Sequence, residues 1–394
     1  MPVSTTSFES KISVIEAAGG QRREVAKAGD LRGLSWLPDS SGLVFSSSWG
    51  STLPYPPIFN LRVISRDGSG ERQLTFGDVS YEQPDVHSSG KLVTSRIRSQ
   101  SDIWKFPVSG SPAENTRGGI RITRQTGQAQ TPSVSPDDKE VVYLSDSGGH
   151  GNLWVARTDG SGVRQITFER DAAVIAGVPV WSAAGDWIVF ILTRSGIAGQ
   201  YLIHPDGSGV RPLIPDGVFT YWSADGRWIY YVVPRDKTSC IEKVGVEGGT
   251  PVGVRCDDAF SPAIAADGET LYYTTTLKRE NGGLDLEVRK ARPESALSQA
   301  LARVASSRVP VDPAFFHPIL SPDGKWLAVP LMDGATTNLW ALPAEGGPMR
   351  PLTDFGQRPT LIVRRISWSP DGKYLYAAVA ETDADIVLLD GLLP

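Results

Sequence analysis

The stretch Ile366-Ser-Trp-Ser-Pro-Asp-Gly-Lys-Tyr-Leu-Tyr376 predicts a β-strand, a tight turn and a second β-strand. Its Asp-Gly pair is a strong hairpin signal, because glycine adopts a positive φ without steric cost. Seven related turns precede it, at residues 42, 90, 138, 185, 226, 268 and 324, between 41 and 56 residues apart. Hairpin units repeated every roughly 40–50 residues are typical of propeller blades. The chain is therefore predicted to be all-β.

Each unit continues with two further predicted strands. The third strand contains an Ile-Trp or Leu-Trp pair, as in Asn152-Leu-Trp154 and Asn338-Leu-Trp340. The fourth contains Arg-x-Leu-Thr or Arg-x-Ile-Thr, as in Arg72–Thr75 and Arg164–Thr167. Gly-rich turns such as Asp159-Gly-Ser-Gly162 separate the two strands. These patterns predict blades of four antiparallel strands.

The Ser-Pro-Asp-Gly-Lys turn, the Leu-Trp strand and the Arg-x-Leu-Thr strand resemble the PD40 (WD40-like) repeats of TolB-like β-propellers. They also resemble the N-terminal propeller of dipeptidyl-peptidase-IV-type enzymes. The stretch 367–394 is similar to the C-terminal propeller of bacterial Ser/Thr kinases and winged-helix regulators. The resemblance covers almost the whole chain and implies the propeller fold. Through the kinase-attached relatives it also implies an extracytoplasmic sensor.

The ends of the chain suggest how the ring closes. Ile12-Ser-Val-Ile15 and Arg23-Glu-Val25 have the pattern of the third and fourth strands of a blade that lacks its first two. The last unit has three predicted strands and no clear fourth. We therefore predict that the N-terminal segment completes the last blade, which removes an exposed sheet edge. Eight hairpins predict eight blades, with seven as the alternative if one terminal unit is irregular.

No low-complexity linker divides the sequence, so residues 1–394 are predicted to form a single domain, with residues 1–10 disordered and a short helical turn within residues 293–302. The net charge of −5 argues against nucleic-acid binding. No apolar run reaches the roughly 18 residues of a membrane helix, and the first residues do not resemble a secretory signal. We expect a monomer that does not insert into membranes.

The two cysteines are predicted to face each other. A three-residue loop at Glu247-Gly248-Gly249 would pair residue 246 with 250, and the same register pairs Cys240 with Cys256. A disulfide accepts the Cα separation of about 5.5 Å found across such a pair. This bond would indicate an oxidising compartment, periplasmic or extracytoplasmic; the alternative is a pair of reduced thiols in a cytoplasmic protein.

Catalytic motifs are missing from the sequence. No serine has glycine at both −2 and +2, as a hydrolase elbow requires, and there is neither a phosphate-binding Gly-x-x-x-x-Gly-Lys-Ser/Thr loop nor a kinase His-Arg-Asp loop. The four histidines fall at different strand positions, so no metal site is predicted. We therefore predict no enzyme activity and no cofactor.

Ten of the eleven tryptophans recur with the repeat, and Trp49 does not. It opens an apolar, proline-rich insertion, Trp49–Phe59, between the second and third strands of its blade; such loops share one rim of a propeller with the loops between blades. Rigid aromatic side chains in such a loop are typical of protein-binding hot spots. The predicted rim residues are Trp49, Tyr55, Phe59, Tyr81, Gln83, Arg96, Arg98, His150, Arg194 and His317. Arg96 and Arg98 would point the same way and could hold a carboxylate.

Three functions fit this pattern. The first is a non-catalytic propeller that binds a protein or peptide on its loop rim, as a sensor or scaffold of a signalling protein. The second is a small-molecule or carbohydrate enzyme that uses the central channel, where His317 could point. The third is a purely structural C-terminal part of a kinase or transcription regulator.

Overall fold

The computed structural model describes residues 10–51, 53, 57–171, 174–194, 197–236, 238–280, 283–293, 295–310, 316–362 and 364–391. Most of the stretch predicted to be disordered, residues 1–9, lies outside this part of the chain, while Ser10 begins a strand. The chain divides into two compact units. Within the described residues, unit 1 is Ser101–Glu381, and unit 2 consists of residues 10–100 and 382–391. The single-domain interpretation stays a prediction.

The described residues contain 32 strands and one short α-helix, α1 (Pro112–Arg117). None of the described helices is long and apolar enough to span a membrane. The predicted all-β fold of four-stranded antiparallel sheets is confirmed, since six sheets have four antiparallel strands in sequence order.

Unit 2 contains a two-stranded sheet, a four-stranded sheet and a further pair of antiparallel strands. The strands are β1 (Ser10–Val14), β2 (Arg23–Ala28), β3 (Leu31–Trp36), β4 (Gly42–Ser47), β5 (Asn60–Ser65), β6 (Arg72–Gln73), β7 (Ser80–Val86) and the first part of β8 (Leu92–Pro107). β1 pairs with β2, and β3 to β6 pair in order.

Unit 1 contains six sheets, which we number in chain order. Sheet 1 is formed by β10 (Ala129–Val134), β11 (Glu140–Ser145), β12 (Asn152–Arg157) and β13 (Arg164–Gln165); sheet 2 is formed by β14 (Ile175–Trp181), β15 (Ile188–Arg194), β16 (Ile197–Ile203) and β17 (Arg211–Ile214). Sheet 3 is formed by β18 (Val218–Trp222), β19 (Trp228–Arg235), β20 (Thr238–Gly245) and β21 (Gly248–Arg255); sheet 4 is formed by β22 (Phe260–Ile264), β23 (Leu271–Lys278), β24 (Leu284–Ala291) and β25 (Ser298–Ala305). Sheet 5 is formed by β26 (Ile319–Leu320), β27 (Trp326–Asp333), β28 (Thr336–Pro343) and β29 (Arg350–Pro351). Sheet 6 combines β30 (Thr360–Ile362), β31 (Ser367–Trp368) and the first part of β32 (Tyr374–Leu389) with the second part of β8 and with β9 (Ile120–Arg121).

The hairpin motif forms because its serine and aspartate close the turn. In sheet 6, Ser369 Oγ donates to Asp371 Oδ1 at 2.7 Å and accepts the N–H of Tyr374 at 2.9 Å. Asp371 Oδ1 also accepts the N–H of Lys373 at 3.0 Å. These hydrogen bonds favour the ionised carboxylate and lower the pKa of Asp371 to about 2. The same serine–aspartate contact recurs at Ser135, Ser223 and Ser321.

The third and fourth strands are joined by a threonine hydroxyl. Thr167 Oγ1 donates to Asn152 Oδ1 at 2.9 Å and accepts the N–H of Leu153 at 2.8 Å. The same pair of bonds forms in three other sheets, at Asn60 and Thr75, at Asp102 and Thr123, and at Asn338 and Thr353. All these groups are buried. The hydrogen bond between these side chains explains why the Asn-Leu-Trp and Arg-x-Leu-Thr motifs occur together in a repeat.

A serine hydroxyl links neighbouring sheets. Ser133 Oγ in sheet 1 accepts the N–H of Trp181 in sheet 2 at 3.0 Å. The equivalent Ser367 in sheet 6 accepts the N–H of Val134 in sheet 1 at 3.2 Å. This second bond returns from the last sheet of unit 1 to the first. Hydrogen bonds also join sheets 2 and 3, 4 and 5, and 5 and 6, and a buried cluster joins sheets 3 and 4, so the six sheets of unit 1 contact one another in a closed series.

The prediction that the N-terminal segment completes the last blade is wrong. β1 and β2 pair with each other, and the outer strands of sheet 6 come from β8 and β9 instead. Val108 N donates to Lys373 O at 3.1 Å at this junction. The repeats offer several similar third strands, so the sequence does not select which one completes a given hairpin. All eight predicted hairpins form, but a single ring of eight or seven blades is not confirmed, since unit 1 by itself closes with six sheets.

β8 and β32 are longer than predicted. The sequence suggested separate second and third strands in each of these repeats, whereas both elements run through 16 residues without a turn. Neither strand contains a glycine, and the only proline is the last residue of β8. With no residue to reverse the chain, each strand stays extended over its whole length.

Cys240 and Cys256 form a disulfide with a Cα–Cα distance of 4.1 Å. The predicted three-residue loop is wrong, because β20 and β21 are joined by Val246 and Glu247 alone, and Gly245 pairs with Gly248. Two register shifts then bring Ile241 opposite Arg255, which places the two cysteines across from each other as expected.

One predicted helix is absent from the described residues, and one helix was not predicted. A helical turn was expected within residues 293–302, but β25 begins at Ser298. The described α-helix lies instead at Pro112–Arg117, where the Ser111 hydroxyl accepts the Glu114 N–H and the Glu114 carboxylate accepts the Ser111 N–H. This reciprocal capping with proline at the first position is a recognised helix-start signal, and it was missed.

The turn hydrogen bonds predict the effect of Ser369→Ala. This change removes a buried hydroxyl that serves both Asp371 and Tyr374, so the free energy of unfolding should fall by about 1–2 kcal/mol in urea denaturation. Ser208→Ala is the matched control, because Ser208 donates to Asp206 in an exposed turn. That variant should change stability by less than about 0.5 kcal/mol. A loss for Ser369→Ala no larger than that of the control would contradict this account of the motif.

The disulfide predicts a second loss of stability. Cys240 and Cys256 are 16 residues apart, and a cross-link of this loop length stabilises by roughly 3 kcal/mol. The double variant Cys240→Ala/Cys256→Ala should lose about 2–4 kcal/mol in unfolding free energy. Adding a reductant to the wild type should give the same loss. Two free thiols, found by titration of the unfolded wild type without reductant, would show that the bond does not form.

Candidate functional site

The first strand of most sheets in unit 1 is interrupted at the same place. Register shifts fall between Gln130 and Ser133 in sheet 1, and at the equivalent points of sheets 2, 3 and 4. One residue at each shift has a positive φ, namely Thr131 (50°), Val178 (48°), Phe219 (58°) and Ser261 (49°). Such strained backbone at non-glycine residues is held by its surroundings and is concentrated at functional sites. We call these residues, with His317 and Arg365 of sheets 5 and 6, the axial positions; each lies seven residues before the turn of its hairpin.

The side chain of Arg365 extends across the ring of unit 1. Its Nη1 donates to the backbone oxygen of Thr220 at 2.8 Å. Thr220 belongs to sheet 3 and Arg365 to the segment of sheet 6, which stand opposite each other in a closed series of six. The guanidinium carbon also lies 5.9 Å from the ring centre of Tyr221. Arg365 is only 5% exposed, so its charge is held at the axis and not in water.

His317 occupies the same region. It is buried, and its ring lies edge-on to Phe219 with a centroid distance of 4.5 Å. Burial and the positive charges of Arg365 and Arg364 lower the pKa of His317 to about 3. The imidazole is therefore neutral at pH 7. Burial likewise lowers the pKa of Arg365 to about 10, which leaves it charged.

Several polar atoms around the axis have no hydrogen-bond partner among the described residues. They include Thr131 Oγ1, Gln130 Oε1 and Thr220 Oγ1, all on buried side chains. A buried polar group without a partner costs roughly 1–3 kcal/mol. We define the axial cluster as Arg365, His317, Thr220 and Phe219.

The predicted aromatic rim is only partly formed. Trp49 lies in the loop between β4 and β5, is 54% exposed and lines a cavity of about 630 Å³ in unit 2. Phe59 is buried beneath the guanidinium of Arg32, so it is a packing residue rather than part of an exposed rim. Tyr55 lies outside the described residues.

The other predicted rim residues of unit 2 lie along β7 and β8. Tyr81 is half-buried, and its backbone pairs with Arg96. Gln83 is exposed at a bulge like those of the axial positions, with a φ of 52°. Arg96 and Arg98 are both exposed, and neither forms an ion pair within the part of the chain that the structure describes. A carboxylate held between these two arginines stays a prediction.

The remaining predicted residues belong to unit 1. His150 is half-buried in the loop before β12, where its Nδ1 lies 3.2 Å from the backbone oxygen of Gly151. Arg194 forms an exposed ion pair with Glu169 at 2.8 Å. Of this set, only His317 reaches the axial cluster.

Arg365, Thr220 and Phe219 were not predicted from the sequence. The repeat motifs consist of residues that recur between copies, whereas the axial position carries a different residue in nearly every copy. The spacing of seven residues before each turn was available in the sequence and would have identified the position. The first turn was also placed two residues late, since Ser40 and not Gly42 has the positive φ.

No group of three or more metal-ligating side chains occurs among the described residues. The axial cluster offers one cation, one neutral imidazole and a hydroxyl group, with no carboxylate. Chemically, this set suits the binding of an anion.

No family model matches the chain. The Tol-Pal system protein TolB of Wolinella succinogenes is 24% identical over 242 residues, which cover 58% of this chain and 53% of that protein. Dipeptidyl-peptidase 5 of Porphyromonas endodontalis is 32% identical over 108 residues, or 25% of this chain and 15% of that protein. The chain spans about half or less of the length of the curated relatives it matches.

A solved TolB structure from Agrobacterium tumefaciens has a TM-score of 0.55 at 19% identity, covering 72% of this chain and 99% of that one. This likeness shows the fold. The chain has a β-propeller fold similar to that of TolB-like propellers with PD40 repeats, as the motifs implied.

The burial of His317 predicts a pH-dependent stability. The unfolded chain binds a proton near pH 6.5, while the folded chain binds it only near pH 3, so stability falls as pH decreases through this window. One such group contributes a slope of up to about 1.4 kcal/mol per pH unit. His317→Asn should reduce the slope of unfolding free energy between pH 6.5 and 4 by about this amount and leave it unchanged between pH 7 and 9. Equal slopes in both proteins below pH 6.5 would show that His317 is accessible to protons in the folded state.

Proposed function

We propose that the chain is a non-catalytic propeller module that binds a protein or peptide through the loop rim of unit 2, as a sensor or scaffold. The observation that carries this proposal is the exposed Trp49 at a cavity. Ten other tryptophans follow the repeat, and this one does not.

The cavity beside Trp49 combines an aromatic surface with charges of both signs. Its lining includes Glu24, Lys27, Arg62 and Glu71, and Arg62 Nε lies 2.6 Å from Glu71 Oε1. A large aromatic side chain next to polar groups that can exchange hydrogen bonds is the usual composition of a binding hot spot. Peptide main chain and side chains both fit this chemistry.

The similarity to TolB supports a binding role, since that relative is named as part of a Tol-Pal system. The Cys240–Cys256 disulfide supports an oxidising location, which is periplasmic or extracytoplasmic in a bacterial protein. Both features agree with the sensor role implied by kinase-attached propellers.

An enzyme that uses the channel is the second candidate, because His317 does lie at the axis of unit 1 and one relative is named a dipeptidyl-peptidase. Proton transfer at neutral pH requires a group that titrates near that pH. His317, with a pKa of about 3, does not meet this requirement. The binding role is therefore the better supported proposal.

The test uses peptides selected from a random library for binding to the purified protein. Trp49→Ala should weaken the affinity of the selected peptides at least about tenfold, as loss of a tryptophan hot spot does. Trp36→Ala is the matched control, because Trp36 is 42% exposed in the same unit and does not line the cavity. The affinities of Trp36→Ala for the same peptides should match those of the wild type. All affinities are measured by fluorescence anisotropy. Peptides that bind Trp49→Ala and wild type equally would overturn the proposed site.

A further inference from the structure

The axis of unit 1 holds a positive charge, that of Arg365, which has no counter-charge among the described residues. Arg365 has five N–H donors, and its one hydrogen bond to the described residues is that from Nη1 to Thr220 O. No carboxylate of the described residues forms an ion pair with it. Such a buried, unpaired cation costs several kcal/mol, so it is retained only where something compensates for it.

The neighbouring groups could all donate to an anion. Thr220 carries a hydroxyl with no hydrogen-bond partner in the described structure. His317 is neutral, and neither of its ring nitrogens hydrogen-bonds to the described residues, so one ring N–H can be offered. Phe219 packs edge-on against the imidazole, with a centroid distance of 4.5 Å. The nearest charges acting on His317 are those of Arg365 and Arg364, which are both positive.

We propose that the axial cluster of unit 1 is a binding site for a carboxylate group, held by the guanidinium of Arg365 with Thr220 and His317 as further donors. A guanidinium presents parallel N–H groups that match the two oxygens of a carboxylate. A carboxylate would also neutralise the charge of Arg365. This site is independent of the Trp49 cavity, which lies in unit 2.

The first experiment measures the melting temperature of the whole chain with sodium acetate, against sodium chloride at equal ionic strength. Acetate at about ten times its Kd should raise the melting temperature by roughly 2–4 °C more than chloride. Arg365→Met should abolish this difference while melting at or above the wild-type temperature without acetate, because an unpaired buried cation is replaced by an apolar side chain. Arg292→Gln, which changes an exposed arginine, should keep the full difference.

A second variant tests the site independently in case Arg365→Met does not fold. Thr220→Val keeps the shape of the side chain and removes a hydroxyl that has no partner among the described residues, so it should fold as the wild type does. Its acetate-specific shift should be at most half that of the wild type. An acetate shift equal to the chloride shift in the wild type, or an undiminished shift in both axial variants, would overturn the proposal.

The carboxylate could belong to a free small acid or to the end of a peptide. A tripeptide Gly-Gly-Ala with a free C-terminus and its C-terminal amide separate these sources. Stabilisation by acetate and by the free peptide, but not by the amide, assigns the site to a chain terminus. Stabilisation by acetate alone assigns it to small acids.

Discussion

The ring of unit 1 depends on hydrogen bonds between the first strands of neighbouring sheets, and at two junctions a backbone N–H donates to a serine hydroxyl. Ser133 provides this bond between sheets 1 and 2, and Ser367 provides it between sheets 6 and 1. Indole groups link two other pairs of neighbouring sheets, since Trp222 Nε1 donates to Val180 O at 3.1 Å and Trp368 Nε1 donates to Ile319 O at 3.0 Å. Because the bonds use buried main-chain groups, each sheet fixes the position of the next. This series of contacts sets the positions of the residues of the axial cluster.

The sequence predicts those parts of the fold that the repeat encodes locally. The Ser-x-Asp-Gly turns, the threonine bridges and the cysteine pair all depend on residues close in sequence or in one hairpin. Partner choice between distant strands could not be predicted, because several third strands share one pattern. Thus Asp102-Ile-Trp104 occupies the place in sheet 6 that the N-terminal segment was expected to fill.

The residues of the candidate site, in contrast, do not follow the sequence repeat. Of the predicted rim residues, Trp49 and His317 lie beside features with binding chemistry, and Phe59 is a packing residue. Arg365 was not predicted because Trp368 and the turn are the recurring features of its repeat. Its importance comes from burial and from the opposite sheet, neither of which a single repeat can reveal. In a propeller, the positions that differ between copies are the ones where function is added to a common frame.

The composite construction of sheet 6 has a consequence for synthesis on the ribosome. Residues 101–121 are made early, whereas their hairpin partner begins only at Tyr374. At roughly 5–20 residues per second, the early strands wait on the order of tens of seconds for that partner, with their edges unpaired. A nascent chain of this design therefore presents open β-edges during most of its translation, and a chaperone that covers extended segments would protect it until the ring closes.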